Sequence, residues 1–227
     1  MSTDLPDDAN PNASSDAPLK IDIWSDVQCP WCYIGKRKFE AGVTSFGRPV
    51  EIEYHSFELS PDTPVDFVGT PVDYLSARKG IPVEQVHEML DRVTGIAAEV
   101  GLTYDYDAVH QTNTRKAHEL LHFAKAHGVQ SEVKELLLAA YFVDGGHVGD
   151  LEQLADIAAA AGLNREDALR SLTAGEYAEA VEADVQLAVR YGISGVPFYV
   201  IDGKYGISGA QSPEVFAQAL EQAHAER

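Results

Sequence analysis

Cys29-Pro30-Trp31-Cys32 holds both cysteines of the chain, with two residues between them. Two thiols at that spacing can close and open one disulfide between themselves, which suits dithiol–disulfide exchange. An alternating apolar run from Leu19 to Trp24 precedes the pair and reads as a strand. From Cys32 to Phe46 the sequence reads as a helix, with Phe39, Val43 and Phe46 at spacings of four and three. A helix N-terminus presents unpaired N–H groups and partial positive charge, and both favour a thiolate. That matters because the thiolate, not the thiol, attacks a disulfide.

The neighbours of the pair tune this chemistry. Pro30 restricts the backbone at the helix start, where a missing N–H costs little. Lys36-Arg37-Lys38 are three consecutive basic residues one to two turns on. They offer either positive potential near Cys29 or an ordinary solvated helix face. Asp26 opposes a nearby thiolate by charge, and reads either as a proton relay to Cys32 or as a turn residue. Trp31 is neutral and adds apolar surface where a histidine would support the thiolate. A less oxidising pair than one with a histidine at that position is therefore expected.

Metal chemistry has two candidate motifs. A structural zinc wants four ligands, and no second Cys-x-x-Cys exists. His118-Glu119-Leu120-Leu121-His122 matches the HExxH pattern, in which two histidines on one helix face hold zinc and the glutamate acts as base. No well-spaced third ligand accompanies it. Helix-flank packing or groove lining is the alternative for both histidines, and no metal is expected. His87, His110 and His147 show no ligand-like grouping.

Thirty-six acidic against seventeen basic residues give a net charge of −19 over 227 residues. Such a chain is repelled by nucleic acid and by anionic membranes, so neither is an expected partner. No apolar stretch approaches the ~20 residues of a membrane span. Met1 to Pro18 lacks the basic and apolar regions of a secretory signal and reads as a disordered acidic tail. With both cysteines in one motif there is no structural disulfide framework. A reducing compartment, the cytoplasm, is expected.

Val50 to Phe57 alternates and reads as a second strand, so strand, helix and strand suggest a parallel crossover. Residues 58–70 read as a loop. From about Pro71 to Tyr191 the periodicity is helical throughout. Val83, Val86, Leu90, Val93 and Ile96 form one stripe, and Thr114, Asp150 and Asn164 are candidate N-caps. Tyr104-Asp105-Tyr106 reads as a loop that lines a groove or simply packs. Strand character returns at Pro197 to Ile201, and Asp202-Gly203 signals a hairpin whose second arm is Lys204 to Ser208. Ser212-Pro213 opens a last helix. Tyr-Gly-Ile-Ser-Gly occurs at 191–195 and again at 205–209, with no wider repeat around it.

Strand, Cys-x-x-Cys, helix, strand, then a late Val196-Pro197 before a hairpin and helix resemble the thioredoxin fold. The interposed helices resemble the DsbA family. Asp26 to Lys36, Asn113 to His118 and Ser194 to Phe198 are similar to its FrnE-like branch, which is related to 2-hydroxychromene-2-carboxylate isomerases. The fold class implied is α/β, a thioredoxin-like fold with a large all-helical insertion. The division implied is a disordered acidic tail (1–18), a first thioredoxin-like segment (19–62), the helical insertion (63–180) and a second thioredoxin-like segment (181–227).

The resemblance implies an exposed attacking Cys29, a resolving Cys32, and Pro197 as a cis-proline facing the disulfide. Val196 would offer backbone hydrogen bonds to a bound substrate. Pro30, Trp31, Val196, Pro197, Asn113 and His118 are the implied substrate-binding positions. The implied function is thiol–disulfide oxidoreduction through a mixed disulfide, with no cofactor beyond the dithiol and glutathione as a candidate co-substrate. The implied partner is a thiol or disulfide, and the chain a monomer or homodimer. The rivals are a glutathione-dependent isomerase or transferase of small molecules, whose members typically replace the first cysteine by serine, and a peptide-binding, chaperone-like module.

Overall fold

Ile21 and Ile23 are fully buried on the central strand, β1 (Leu19–Ser25), and everything else is arranged around that strand. The computed structural model describes residues 17–227, so the tail reading for residues 1–16 lies outside the described residues. Helix α1 (Pro30–Phe46) follows, then β2 (Val50–Ser56), which pairs parallel to β1 with Ile21 opposite Ile52. Late in the chain, β3 (Phe198–Ile201) runs antiparallel to β1 with Tyr199 opposite Ile23, and β4 (Tyr205–Ser208) completes the sheet order β2-β1-β3-β4. Asp202 and Gly203 make the hairpin turn, with φ of 54° and 69°. Both values are positive, as a tight turn between twisted strands requires. Helix α9 (Pro213–Ala225) closes the chain.

Between β2 and β3 every regular element is helical: α2 (Pro71–Lys79), α3 (Val83–Glu99), α4 (Arg115–Ala126), α5 (Gln130–Phe142), α6 (Leu151–Ala160), α7 (Arg165–Ala174) and α8 (Ala178–Arg190). The fold is a thioredoxin-like α/β sheet carrying a large helical insertion. No described helix is long and apolar enough to cross a membrane.

Local chemistry explains the element ends. Thr70 and Asp73 cap α2 reciprocally, and Asp150 and Asn164 accept the Gln153 and Asp167 amides at the starts of α6 and α7. Thr114 occupies the N-cap of α4, yet its hydroxyl caps nothing; it donates to Asp26 instead. Ser212 likewise makes no side-chain cap at α9, where Pro213 sets the first turn. Val83, read from the sequence as part of the α3 stripe, is exposed, whereas Val86, Leu90 and Val93 are buried. The two copies of Tyr-Gly-Ile-Ser-Gly adopt different structures: one leaves α8 toward Val196, the other is β4.

Two cores meet at α1. Phe39 and Phe46 pack with Ile21, Ile23, Tyr199 and Phe216 between the sheet and helices α1 and α9. Tyr33 and Ile34, on the same helix, belong instead to the core of the helical block. Helix α1 is therefore the shared wall, and its first turn lies at the seam. Behind the sheet, His55 of β2 stacks on Trp24 and bridges Asp22 at 2.9 Å and Asp184 of α8 at 2.7 Å. The other oxygen of Asp184 accepts the Ser56 amide and also lies 3.1 Å from His122 of α4. One carboxylate thus ties the sheet to two insertion helices.

Candidate active site

Cys29 is the N-cap residue of α1, with Pro30 in the first turn. Its amide donates to the Asp26 carbonyl, and the Cys32 amide donates back to the Cys29 carbonyl at 3.0 Å. These two bonds fold the motif into a turn that leads into the helix. Both thiols are free and only 3% exposed. The exposed cysteine expected at position 29 is therefore corrected: its surface opens into a cavity of about 830 Å³ rather than onto the outer surface, whereas Cys32 does not line that cavity.

On the other side of Cys29, its sulfur lies 3.5 Å from the Val196 carbonyl oxygen. The Val196–Pro197 peptide is cis. Pro197 and Tyr199 lie against Gly35 of α1, where a Cβ would stand 3.0 Å from the proline ring and 2.7 Å from the Tyr199 hydroxyl. Only a glycine lets the strand approach the helix this closely. Pro30, Trp31 and Val196 also line the cavity; Pro197 sits behind Val196 and does not.

Asn113 and His118 are not at the cavity. Asn113 donates to the Pro61 carbonyl and accepts from the Arg115 amide, holding a loop. His118 is fully buried, with Nε2 3.3 Å from Asp26. His122, one turn on, faces Ser56 and Asp184. The two HExxH histidines therefore turn to different partners and do not converge. Among the described residues, Asp22, Glu53 and His55 form the one group spaced to share an ion, and their atoms meet Lys20, Lys125 and Asp184.

Asp26 is neither a plain turn residue nor exposed. Its carboxylate accepts from the Leu59 amide, Thr114, Gln28 and His118 while fully buried. Burial disfavours its charge, but the bonds from His118, Leu59 and Thr114 outweigh that and hold it below the usual carboxylate range. The basic run does not form a positive patch either. Lys36 bridges Glu40 at 2.5 Å and Glu135 of α5 at 2.7 Å, and Arg37 pairs with the same two carboxylates. Burial opposes the charge on Glu135, yet Arg37, Lys36 and Tyr33 hold it down to about 2. The run is a strap between α1 and α5.

The charge near the thiols comes instead from Lys134. This α5 residue is wholly buried, its Nζ 5.7 Å from the Tyr54 ring centre and without a hydrogen-bond partner among the described residues. Burial pulls its ammonium below the usual range. The hydrogen bond that Cys29 donates to the Cys32 sulfur, then burial, push Cys29 well above the ordinary thiol range. Burial also resists charge on Cys32, but the bond from Cys29, the Lys134 charge and Ser25 together bring it down. Cys32 is thus the more readily ionised thiol of the pair, and Cys29 its proton donor. Lys134 and Gly35 gave no motif to read; a glycine inside the helical period of α1 is the one signal that could have marked a close approach. Tyr104 braces the motif by donating to the Pro30 carbonyl at 2.7 Å, and Tyr106 lines the cavity.

This architecture has known counterparts. A model of the DSBA-like thioredoxin domain matches residues 20–221. The chain belongs to that family. A probable DsbA oxidoreductase from Streptomyces coelicolor is 40% identical in sequence and superposes with a TM-score of 0.86, covering 92% of this chain and 91% of its own. The uncharacterized protein YwbO of Bacillus subtilis is 27% identical over 89% of this chain and 96% of its own length. The cytosolic disulfide reductase DsbM of Pseudomonas aeruginosa, solved with GSH, shares the fold at 15% identity and a TM-score of 0.63, over 89% of this chain and 98% of its own.

Proposed function

We propose that this member of the DsbA-like family is a thiol–disulfide oxidoreductase of a reducing compartment, working through Cys29 and Cys32. The carrying observation is Cys29 at the head of α1, open to a cavity on one side and 3.5 Å from the Val196 carbonyl on the other. A substrate disulfide entering the cavity meets Cys29 before Cys32. The Cys29 proton passes to Cys32 along their hydrogen bond as Cys29 attacks one substrate sulfur, forming a mixed disulfide and expelling the other sulfur as a thiolate. Cys32 then loses its proton, favoured by the Lys134 charge, and attacks the Cys29 sulfur. The Cys29–Cys32 disulfide forms and the second substrate sulfur leaves. Two electrons have moved from the dithiol to the substrate; the one proton of the thiol pair leaves on the first substrate sulfur, and the second departs as a thiolate. A monothiol of the glutathione class returns the protein to the dithiol by the reverse exchange, and the GSH held by DsbM is in keeping with that role.

The test is the dithiol–disulfide equilibrium in defined glutathione buffers, with insulin reduction by wild type and Cys29→Ser. A reversible two-electron transition, with activity lost in the variant, is expected. No reversible Cys29–Cys32 disulfide, or activity surviving Cys29→Ser, would overturn the reading.

A further inference from the structure

The cavity above Cys29 has a composition unlike the rest of the chain. Acidic residues outnumber basic ones 36 to 17 in the sequence, yet none lines this cavity, and three cations do. Arg78 and Lys79 reach it from the end of α2 and Arg92 from α3. Lys79 and Arg92 pair with no carboxylate among the described residues; most other cations of the chain do. Arg78 donates to the Leu59 carbonyl at 3.0 Å and reaches only the exposed Asp62, at 3.4 Å. Elsewhere the wall is apolar and aromatic, with Trp31, Tyr106 and Phe142 among its surfaces.

Resting on the oxidoreductase reading, we infer that the cavity selects a small organic disulfide, or its thiol, with an apolar or aromatic body and one or more carboxylates. The volume, about 830 Å³, is that of a small-molecule pocket rather than of a groove for a chain. Two cations without a carboxylate partner, and a third that meets only an exposed one, draw an anion to this mouth in a field that is otherwise negative. The carboxylate sits on Arg92 and Lys79, the body lies against the aromatic wall, and the sulfur faces Cys29. The exchange is balanced as above: the S–S bond of the substrate breaks, its two halves leave as a thiol and a thiolate, and the Cys29–Cys32 disulfide forms. Two equivalents of a monothiol supply the electrons for the next turnover.

The test compares reduced protein reacting with three small disulfides: dithiobis(2-nitrobenzoate), an anion; dithiodipyridine, neutral; and cystamine, a cation. In Lys79→Gln/Arg92→Gln the ratio of anion to neutral rate is expected to fall about tenfold, the yield of two partly exposed ion pairs. The wild-type ratio should also fall in ~1 M salt. Arg48→Gln removes one cation beyond the far end of α1, and its ratio should match wild type. A double variant within twofold of wild type, or an equal fall in Arg48→Gln, would overturn the inference.

A redox-free arm separates this from the parent reading. Quenching of Trp31 fluorescence by 2-naphthoate and by 2-naphthamide is measured on Cys29→Ser protein. Tighter binding of the carboxylate, lost in the double variant, supports the cavity's selectivity even if disulfide exchange fails. Equal binding of the two would refute the selectivity while the redox reading stood.

Discussion

The Asp26 carboxylate and the His118 imidazole meet 3.3 Å apart with neither exposed to solvent. Asp26 leads into the Cys-x-x-Cys turn and His118 lies in the first turn of α4, so the pair joins the two halves of the fold directly beneath the dithiol. His118 acts through Asp26 rather than on a bound molecule. Asp26→Asn loses the charge on these bonds and should cost about 2–4 kcal/mol in urea unfolding. His118→Gln should lower stability while leaving the KM for small disulfides within about twofold. A large KM change at unaltered stability would place His118 in substrate binding after all.

Lys134 is expected to set the acidity of the thiol pair. Lys134→Met keeps its volume and removes a buried ammonium without a hydrogen-bond partner. The apparent pKa for the first thiolate should rise, read from alkylation rate against pH. Stability should be unchanged or higher, since an unpaired buried charge is costly. An unmoved alkylation profile would remove Lys134 from the chemistry.

His55 gives the fold a pH dependence of defined sign. Burial works against its charge, but Asp184 and Asp22 push it up to about 9 from 6.5. A raised folded-state value stabilises fully below about pH 6.5 and fades as pH rises through about 9. Asp184 and Asp22 are held below their ordinary 3.8, so their share is present above that value and fades below it. Glu53, His122, Lys20 and Lys125 complete the charged surroundings. Between pH 6.5 and 9.5 wild type should lose up to about 3 kcal/mol more than His55→Gln. Parallel profiles for the two proteins would sink this account.

Gly35→Ala places a methyl 2.7 Å from the Tyr199 hydroxyl and 3.0 Å from the Pro197 ring. The strand and helix must separate, at a cost of about 1–3 kcal/mol. Because Cys29 and Val196 face each other across the same approach, thiol exchange should slow together with the loss of stability. An alanine variant as stable and as fast as wild type would show that the gap is slack.

The sequence by itself determined the dithiol motif and the element order. Two cysteines, a strand before them and a helix after them are local features, read from spacing and period, and so are the hairpin at Asp202-Gly203 and the caps at Asp150 and Asn164. Tertiary structure alone decided what surrounds the thiols. Thr114 gave up its cap for Asp26, Lys36 and Arg37 turned their charge to Glu135, and Lys134 came in from a helix about a hundred residues away. Such pairings depend on which side chains become neighbours once water is excluded. A buried charge takes the partner that packing brings to it, and no period along the chain records that choice.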